Sequence, residues 1–377
     1  MDTALAQFRE VIGGILSPDN DVRRQAEQVY DSMQKDVNIY FACLIRLLKV
    51  DTSMNVRSFC AVILRQQLLP AKKLWNETSV EIKNEVKTTL YELFSNESNE
   101  YIRNKVIDAM AMLASRLFKE AKEHNVPNPT DAWPEVLPLT LGGCSHSLPA
   151  VRIACFSMLE KLAEFCVTAF IPQTALILEK ITEGLNSDLH IALAAARAGL
   201  SILVSATLLA TQPATPDVAL ERQQGQQLQT AFLPVAERTF HLLAAALNAG
   251  DDGVVTDALD ALQSLAKVHP AAFKPQLTQL VALVNQIARN DDLEVPLRSA
   301  AVTLLLSLGK SPAGRAIVRK CPAYVQTLLP LTFDFLVRIE HSAAWEREEE
   351  FDDEDENALH HTAIFLLQSL VTAVGVK

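Results

Sequence analysis

The stretch MNVRSFCAVILRQQL, residues 54–68, decides the fold. Val56, Phe59, Cys60, Ile63, Leu64 and Leu68 stand at i, i+3, i+4, i+7, i+8 and i+12, which is one face of an α-helix. The helix begins on Val56-Arg57, an apolar residue followed by arginine just after a polar turn. The same pair recurs as Val22-Arg23, Ile102-Arg103, Val151-Arg152 and Leu297-Arg298. Asp or Asn stands in several of the preceding turns, at Asp19-Asn20-Asp21, Asn55, Asn99 and Asp291-Asp292. The arginines are 34, 46, 49 and then 146 residues apart. The last interval spans about three periods, and degenerate copies fill it near Asp188-Leu189-His190 and Gly253-Val254-Val255. A short polar residue can cap the helix by accepting backbone N–H bonds. The apolar residue then packs inward, and the arginine is expected to bridge to acids in the adjacent turn.

Helical periodicity runs through nearly the whole chain. Val151, Cys155, Met158, Leu159, Leu162 and Cys166 repeat the pattern over 149–166. Strand signals are scarce, and no Asn-Gly or Asp-Gly hairpin joins alternating runs. A period of 34–49 residues with two helices per unit predicts HEAT repeats. A single pair cannot bury its apolar face, so pairs must stack and share one core. The expected fold is all-α, a right-handed α-solenoid of about eight antiparallel helix pairs: 3–33, 36–68, 78–120, 132–166, 170–210, 226–268, 272–310 and 317–376. Breakers fall in the connectors, including Pro127 and Pro129 and the run 211–216. Trp133-Pro134-Glu135 and Ile171-Pro172 are expected to open helices, with proline in the first turn and Trp133 stapling the incoming chain.

Composition narrows the function. Hydrophobic residues make up 49% of the 377, aromatics only 6%, a balance that favours helix. There is no uninterrupted apolar run of about 18 residues, so no membrane insertion is expected. The start, MDTALAQFRE, has no secretory pattern. Cys43, Cys60, Cys144, Cys155, Cys166 and Cys321 form no CxxC pair and sit in apolar helical patterns, as reduced buried thiols do. The net charge of −11 argues against direct contact with nucleic acid over a broad surface. That charge is concentrated. Glu346, Glu348, Glu349, Glu350, Asp352, Asp353, Glu354, Asp355 and Glu356, with Arg347 as the one base among them, carry −8.

No nucleophile elbow, phosphate loop, dinucleotide fingerprint or zinc-protease motif is present, so no catalytic residues and no cofactor are expected. His360-His361 beside the acidic run is a poor chelate, because adjacent helical residues diverge, and no metal site is expected there. The acidic run lacks the glycine and spaced oxygens of a calcium loop. It can instead attract a basic partner face.

The ordered set of motifs resembles a known family. Asp21-Val-Arg-Arg-Gln-Ala-Glu27, Val56–Arg65 and Ile102-Arg-Asn-Lys-Val-Ile107 are similar to the N-terminal domain of the importin-beta (karyopherin-beta) superfamily. Asp131-Ala-Trp-Pro-Glu-Val-Leu137 and the acidic run after Trp345 are further marks of it. Leu16-Ser-Pro-Asp-Asn20 and Leu64-Arg-Gln-Gln-Leu-Leu69 most resemble the karyopherin beta three (importin five) branch. The likeness covers essentially the whole chain. It implies importin-beta repeats 1–3 over 1–120, repeats 4–7 and the first helix of the eighth over 121–340, and an acidic loop over 341–357. The second helix of the eighth repeat would follow over 358–377, ending on an open apolar face as a fragment of a longer protein would.

The resemblance also implies a nuclear transport receptor moving between cytoplasm and nucleus. Its partners would be Ran-GTP, Phe-Gly nucleoporins and basic protein cargo. The nine acids of 346–356 are the expected site for Ran or another basic partner. Arg57 and Arg65 lie on the second helix of pair two, where Ran would approach, although Arg57 reads more readily as a bridge between repeats. Ile177, Ile181, Phe240 and Leu243 are the expected walls of a Phe-Gly slot, or else ordinary core between repeats. A HEAT scaffold of another complex, such as one holding a phosphatase, is the alternative reading.

Overall fold

A computed structural model describes residues 2–337, apart from 70, 125, 127–128, 214 and 216–217, together with 359–374. The described residues are mostly helical, with turns between the helices and no strand among them. Contacts divide the chain into two units, Met1–Phe170 and Ile171–Lys377.

In the first unit α1 (Asp2–Ile15) pairs with α2 (Asn20–Met33), and α3 (Val37–Val50) with α4 (Met54–Gln67). A single turn, α5 (Leu74–Glu77), precedes the pair α6 (Val80–Asn96) and α7 (Glu100–Glu123). The last pair is α8 (Val136–Gly143) with α9 (Pro149–Cys166). First helices pack on first helices, α1 on α3 and α3 on α6. Second helices pack on second, α4 on α7 and α7 on α9.

The second unit repeats the scheme. Its pairs are α10 (Thr174–Leu185) with α11 (Leu189–Ala210), α12 (Ala219–Ala249) with α13 (Asp252–Val268), and α14 (Leu277–Arg289) with α15 (Val295–Lys310). After the short α16 (Pro312–Val318) comes α17 (Pro322–Val337), paired with α18 (Leu359–Val374). Together these are the eight antiparallel pairs of a HEAT-repeat fold.

Side-chain chemistry at the turns inside the pairs sets the register. Second helices open on polar caps: Asp19 accepts from the Asp21 and Val22 amides, Ser53 from Val56, Asn99 from Ile102, Asp188 from Ile191 and Asp251 from Val254. α9 and α15 lack a capping side chain and instead carry Pro149 and Pro296 in their first turns.

The recurring arginines do more than the expected bridging to acids. Each donates to a backbone carbonyl at or just past the end of the preceding helix. Arg57 Nε reaches Leu48 O at 2.8 Å, Arg152 Nε Cys144 O at 3.0 Å, and Arg298 Nε Ala288 O at 2.9 Å. Arg103 Nη1 reaches Glu97 O at 3.0 Å, and Arg23 Nη2 Pro18 O at 3.4 Å. The last carbonyls of a helix lack intrahelical partners and sit at the negative end of its dipole, so a guanidinium there satisfies both. Acid partners are present as well, Glu97 on Arg57 and Asp291 on Arg298.

Several local expectations are corrected. Pro172 does not open a helix; it lies inside a 3₁₀ segment, Val167–Gln173, and α10 begins at Thr174. Trp133 is buried as a staple should be, but a 3₁₀ turn (Pro129–Ala132) precedes it and α8 starts only at Val136. α12 begins at Ala219, before the expected 226, and runs through Pro234. α11 is the one described helix long and apolar enough to cross a membrane by length and composition. Of its most apolar window 72% is buried inside the protein, as befits a core helix.

The two cores differ in content. Phe8, Tyr30, Tyr40, Phe41 and Trp75 form a chain of ring contacts with centroids 5.6–6.2 Å apart in the first unit. In the second, α11 packs on α12 through alanines and two glycines. A Cβ on Gly199 would lie 2.8 Å from Val235 Cγ1, and one on Gly225 would lie 2.7 Å from the Ala210 nitrogen and 2.8 Å from the Ala206 oxygen. Burial pushes the thiols of Cys60, Cys155 and Cys166 up to about 12, so they stay protonated and inert at neutral pH.

Candidate binding surfaces

Among the expected contact residues, the structure separates those held within the stack from those open to a partner. Arg57 is held. Its guanidinium joins the Leu48 carbonyl to the Glu97 carboxylate, linking pair two to the C-terminus of α6. Burial alone would raise the Glu97 pKa, but the hydrogen bonds from Arg57 and the Asn99 amide outweigh it and hold the carboxyl below its ordinary value. Arg65 is half exposed, and its Nη1 lies 3.9 Å from Asp108 Oδ2 on α7. A guanidinium so loosely engaged can turn to an incoming acid.

Ile177 and Ile181 lie on α10, and Phe240 and Leu243 on α12. Ile177, Ile181 and Leu243 are 0% exposed and Phe240 is 8% exposed. Phe240 stands edge-on to Phe273 with centroids 5.4 Å apart. All four fill the packing between helices, and a ligand could meet them only after α10 and α12 separate. Glu346, Glu348, Glu349, Glu350, Asp352, Asp353, Glu354, Asp355 and Glu356 lie outside the described residues, as does Trp345. His360 and His361 fall on α18. No grouping of His, Cys, Asp and Glu suited to a metal ion occurs among the described residues.

Two features escaped the sequence reading. One is Arg116 on α7, only 4% exposed, which donates to the carbonyls of Leu68, Leu69 and Lys72, to Asn76 Oδ1 and to Glu120 Oε1. It fixes the whole connector between α4 and α6 to the body of the third pair. Its sequence context, an arginine inside an Ala- and Met-rich helix, was the available signal. The other is a cavity of about 370 Å³ between α6 and the Trp133–Glu135 segment. Trp133 was singled out in sequence, but only for its stapling role.

Stacked helix pairs with capped turns and shared cores define a HEAT-repeat protein. The comparisons place it more narrowly. A family model described as IPO5-like TPR repeats matches residues 98–283, and one described as Importin repeat matches 290–377. The chain belongs to the importin-beta superfamily, in its karyopherin-beta-3-like branch. Importin subunit beta-3 of Saccharomyces cerevisiae is 22% identical over 368 residues, covering 93% of this chain and 31% of that protein. The crystal structure of Kap121p superposes with a TM-score of 0.71 at 20% identity, over 99% of this chain and 33% of that one. Kap121p bound to RanGTP gives 0.72 over 98% and 32%, and Kap121p bound to Nup53p gives 0.69 over 98% and 33%, both at 20% identity. The chain thus spans about a third of the length of these relatives.

Proposed function

We propose that this chain is the N-terminal part of a nuclear transport receptor that binds Ran-GTP, Phe-Gly nucleoporins and basic protein cargo while shuttling between cytoplasm and nucleus. The observation that carries the reading is a fold likeness to Kap121p over nearly the whole of this chain, together with family models covering most of residues 98–377. Kap121p has been crystallised bound to RanGTP, Nup53p, Ste12p and Pho4p, which is the range of partners the reading requires. The work is binding and not catalysis. Repeats 1–3 (1–120) are the surface for Ran, and the acidic run 346–356 attracts basic partners, Ran or cargo, at long range. Of the two arginines on α4, Arg65 is the one free to contact a partner, because Arg57 is engaged within the stack.

A pull-down at low salt tests this with Ran loaded with GTP or GDP. Clear preference for the GTP form is expected, and equal retention of both forms overturns the reading. Replacing Asp352, Asp353, Glu354, Asp355 and Glu356 with Ser should leave helicity unchanged while weakening capture and flattening its salt dependence. Unaltered affinity in that variant removes the acidic run from the site.

A further inference from the structure

Charge in the second unit is sorted by edge. Between residues 261 and 333 the only acids are Asp291, Asp292 and Glu294, all in the turn between α14 and α15. That turn lies at one end of α14, whose 13 residues span about 20 Å at a rise of about 1.5 Å each. Arg289 and Arg298 stand at the same end and have acid partners there, Asp334 and Asp291. The other lysines and arginines of the stretch are Lys267, Lys274, Lys310, Arg315, Arg319 and Lys320. All six fall at the opposite end, where no acid of the stretch lies.

Packing gathers those six. A 3₁₀ turn (Pro270–Phe273) follows α13, with Lys267 before it and Lys274 after it. α16 packs on that turn and on α15. Its seat is close, since a Cβ at Gly314 would overlap the Leu308 oxygen. Arg315 Nη1 donates to the Lys310 carbonyl at 2.9 Å. Thr278 Oγ1 and Cys321 Sγ meet at 3.8 Å, which holds the start of α14 beside Lys320. Lys267, Lys274, Lys310, Arg319 and Lys320 are exposed. Helix dipoles do not account for the concentration. An antiparallel pair puts one C-terminus and one N-terminus on each edge, and their partial charges are of opposite sign. Nor does the composition of the chain: removing six positive charges from a net of −11 leaves −17 on the rest.

The make-up of the patch selects its partner. Arg315 is committed to the Lys310 carbonyl, and four of the six are lysines. An ammonium is a compact, strongly hydrated point charge without the planar fork that grips a phosphate by two bonds at once. Among the described residues no large hydrophobic side chain is exposed between Leu233 and Leu329. The patch therefore has no aromatic platform on which unpaired bases could stack and no apolar wedge for a lipid surface. A long nucleic acid would also run off the patch onto the negative remainder of the chain. A short run of carboxylates meets none of these obstacles, because each can find an ammonium on a flexible stem.

We propose that this edge of the second unit docks a short Asp- and Glu-rich peptide segment of a partner protein. The contact is exposed and electrostatic, so it forms fast, holds weakly and is sensitive to salt. It stands on the charge distribution alone and does not depend on the transport-receptor reading.

The test is fluorescence anisotropy of a fluorescein-labelled (Glu-Asp)₄ amide titrated with the full chain. Saturable binding is expected at about 50 mM salt, weakening at least about tenfold by about 300 mM. The (Gln-Asn)₄ counterpart should not bind. Lys274→Glu, Lys310→Glu and Lys320→Glu combined should weaken binding at least about tenfold, with circular dichroism unchanged. The charge-matched set Lys35→Glu, Lys72→Glu and Lys119→Glu, exposed in the first unit, should change it by less than about threefold. Equal losses in the two sets would mean that the peptide reads only the net charge, which overturns the patch, as does an absence of saturable binding to the unaltered protein. Displacement of the labelled peptide by octauridylate or by phosphatidylserine vesicles more readily than by unlabelled peptide overturns the choice of partner.

Discussion

The joint between pairs two and three and the joint between α11 and α12 solve one problem by opposite means. In the first, a long side chain reaches across: Arg116 leaves α7 and gathers the carbonyls of the α4–α6 connector. In the second, absent side chains let backbones meet, with Gly225 lying where any Cβ would touch Ala210 and Ala206 main-chain atoms. A joint made by reach fails when its donor is removed, because buried acceptors are stranded. A joint made by closeness fails when bulk is added.

Substitutions at four positions can break or sharpen this contrast. The largest effect is expected from Arg116→Ala, a loss of about 4 kcal/mol in chemical denaturation, since at least two carbonyls lose their donor at about 1–3 kcal/mol each. Arg116→Lys should recover less than half, because an ammonium cannot reproduce the fan of five donors. A loss under about 1 kcal/mol for the alanine variant would mean that solvent replaces the guanidinium easily. Next comes Gly225→Ala, expected to cost about 1–3 kcal/mol by overpacking. A neutral or stabilising result, which the better helix propensity of alanine favours, would show that α11 and α12 can part without penalty.

Third is Glu97→Gln, expected to cost about 1 kcal/mol at neutral pH. Because the folded pKa of Glu97 is below its unfolded value, its contribution is present above the unfolded pKa and is lost as pH falls through the folded one. The difference between wild type and variant should therefore shrink from about pH 5 to about pH 3, and a difference independent of pH contradicts the assignment. The smallest effect is expected from Arg65→Ala, within about 0.5 kcal/mol, since a half-exposed ion pair contributes little. Its consequence should be read in Ran capture and not in stability.

The sequence made the pairs legible because their determinants are local. The i, i+3, i+4 spacing of Val56, Cys60 and Leu64 needs no knowledge of the neighbours, and neither do the Asp and Asn caps. The arginine register was legible too, and so were acids such as Glu97 and Asp291, but the carbonyl partners were not: acids are visible in a sequence, whereas an unsatisfied carbonyl at a helix end carries no residue type. The same limit applies to the binding surfaces. Whether Ile177 lines a slot or a core depends on how α10 meets α12, which is fixed by glycines far along the chain. The cavity was hidden for a related reason. Its walls are 45 residues apart, from Lys87 to Ala132, and only the hydrogen bond from the Lys87 ammonium to the Ala132 carbonyl shows that they face each other.

The arginine clamps also bear on how the chain acquires its structure. Each links residues only 5–10 positions apart, as Arg23 to Pro18, Arg57 to Leu48 and Arg298 to Ala288. Closing so short a loop sacrifices little chain entropy. A turn can therefore form before any neighbouring pair is in place, and structure can start at several points and spread from each. The turns at Asp188 and Asp251, which carry a cap but have Ala192 and Val255 four residues on, where the arginine would stand, are the points at which that spreading should pause.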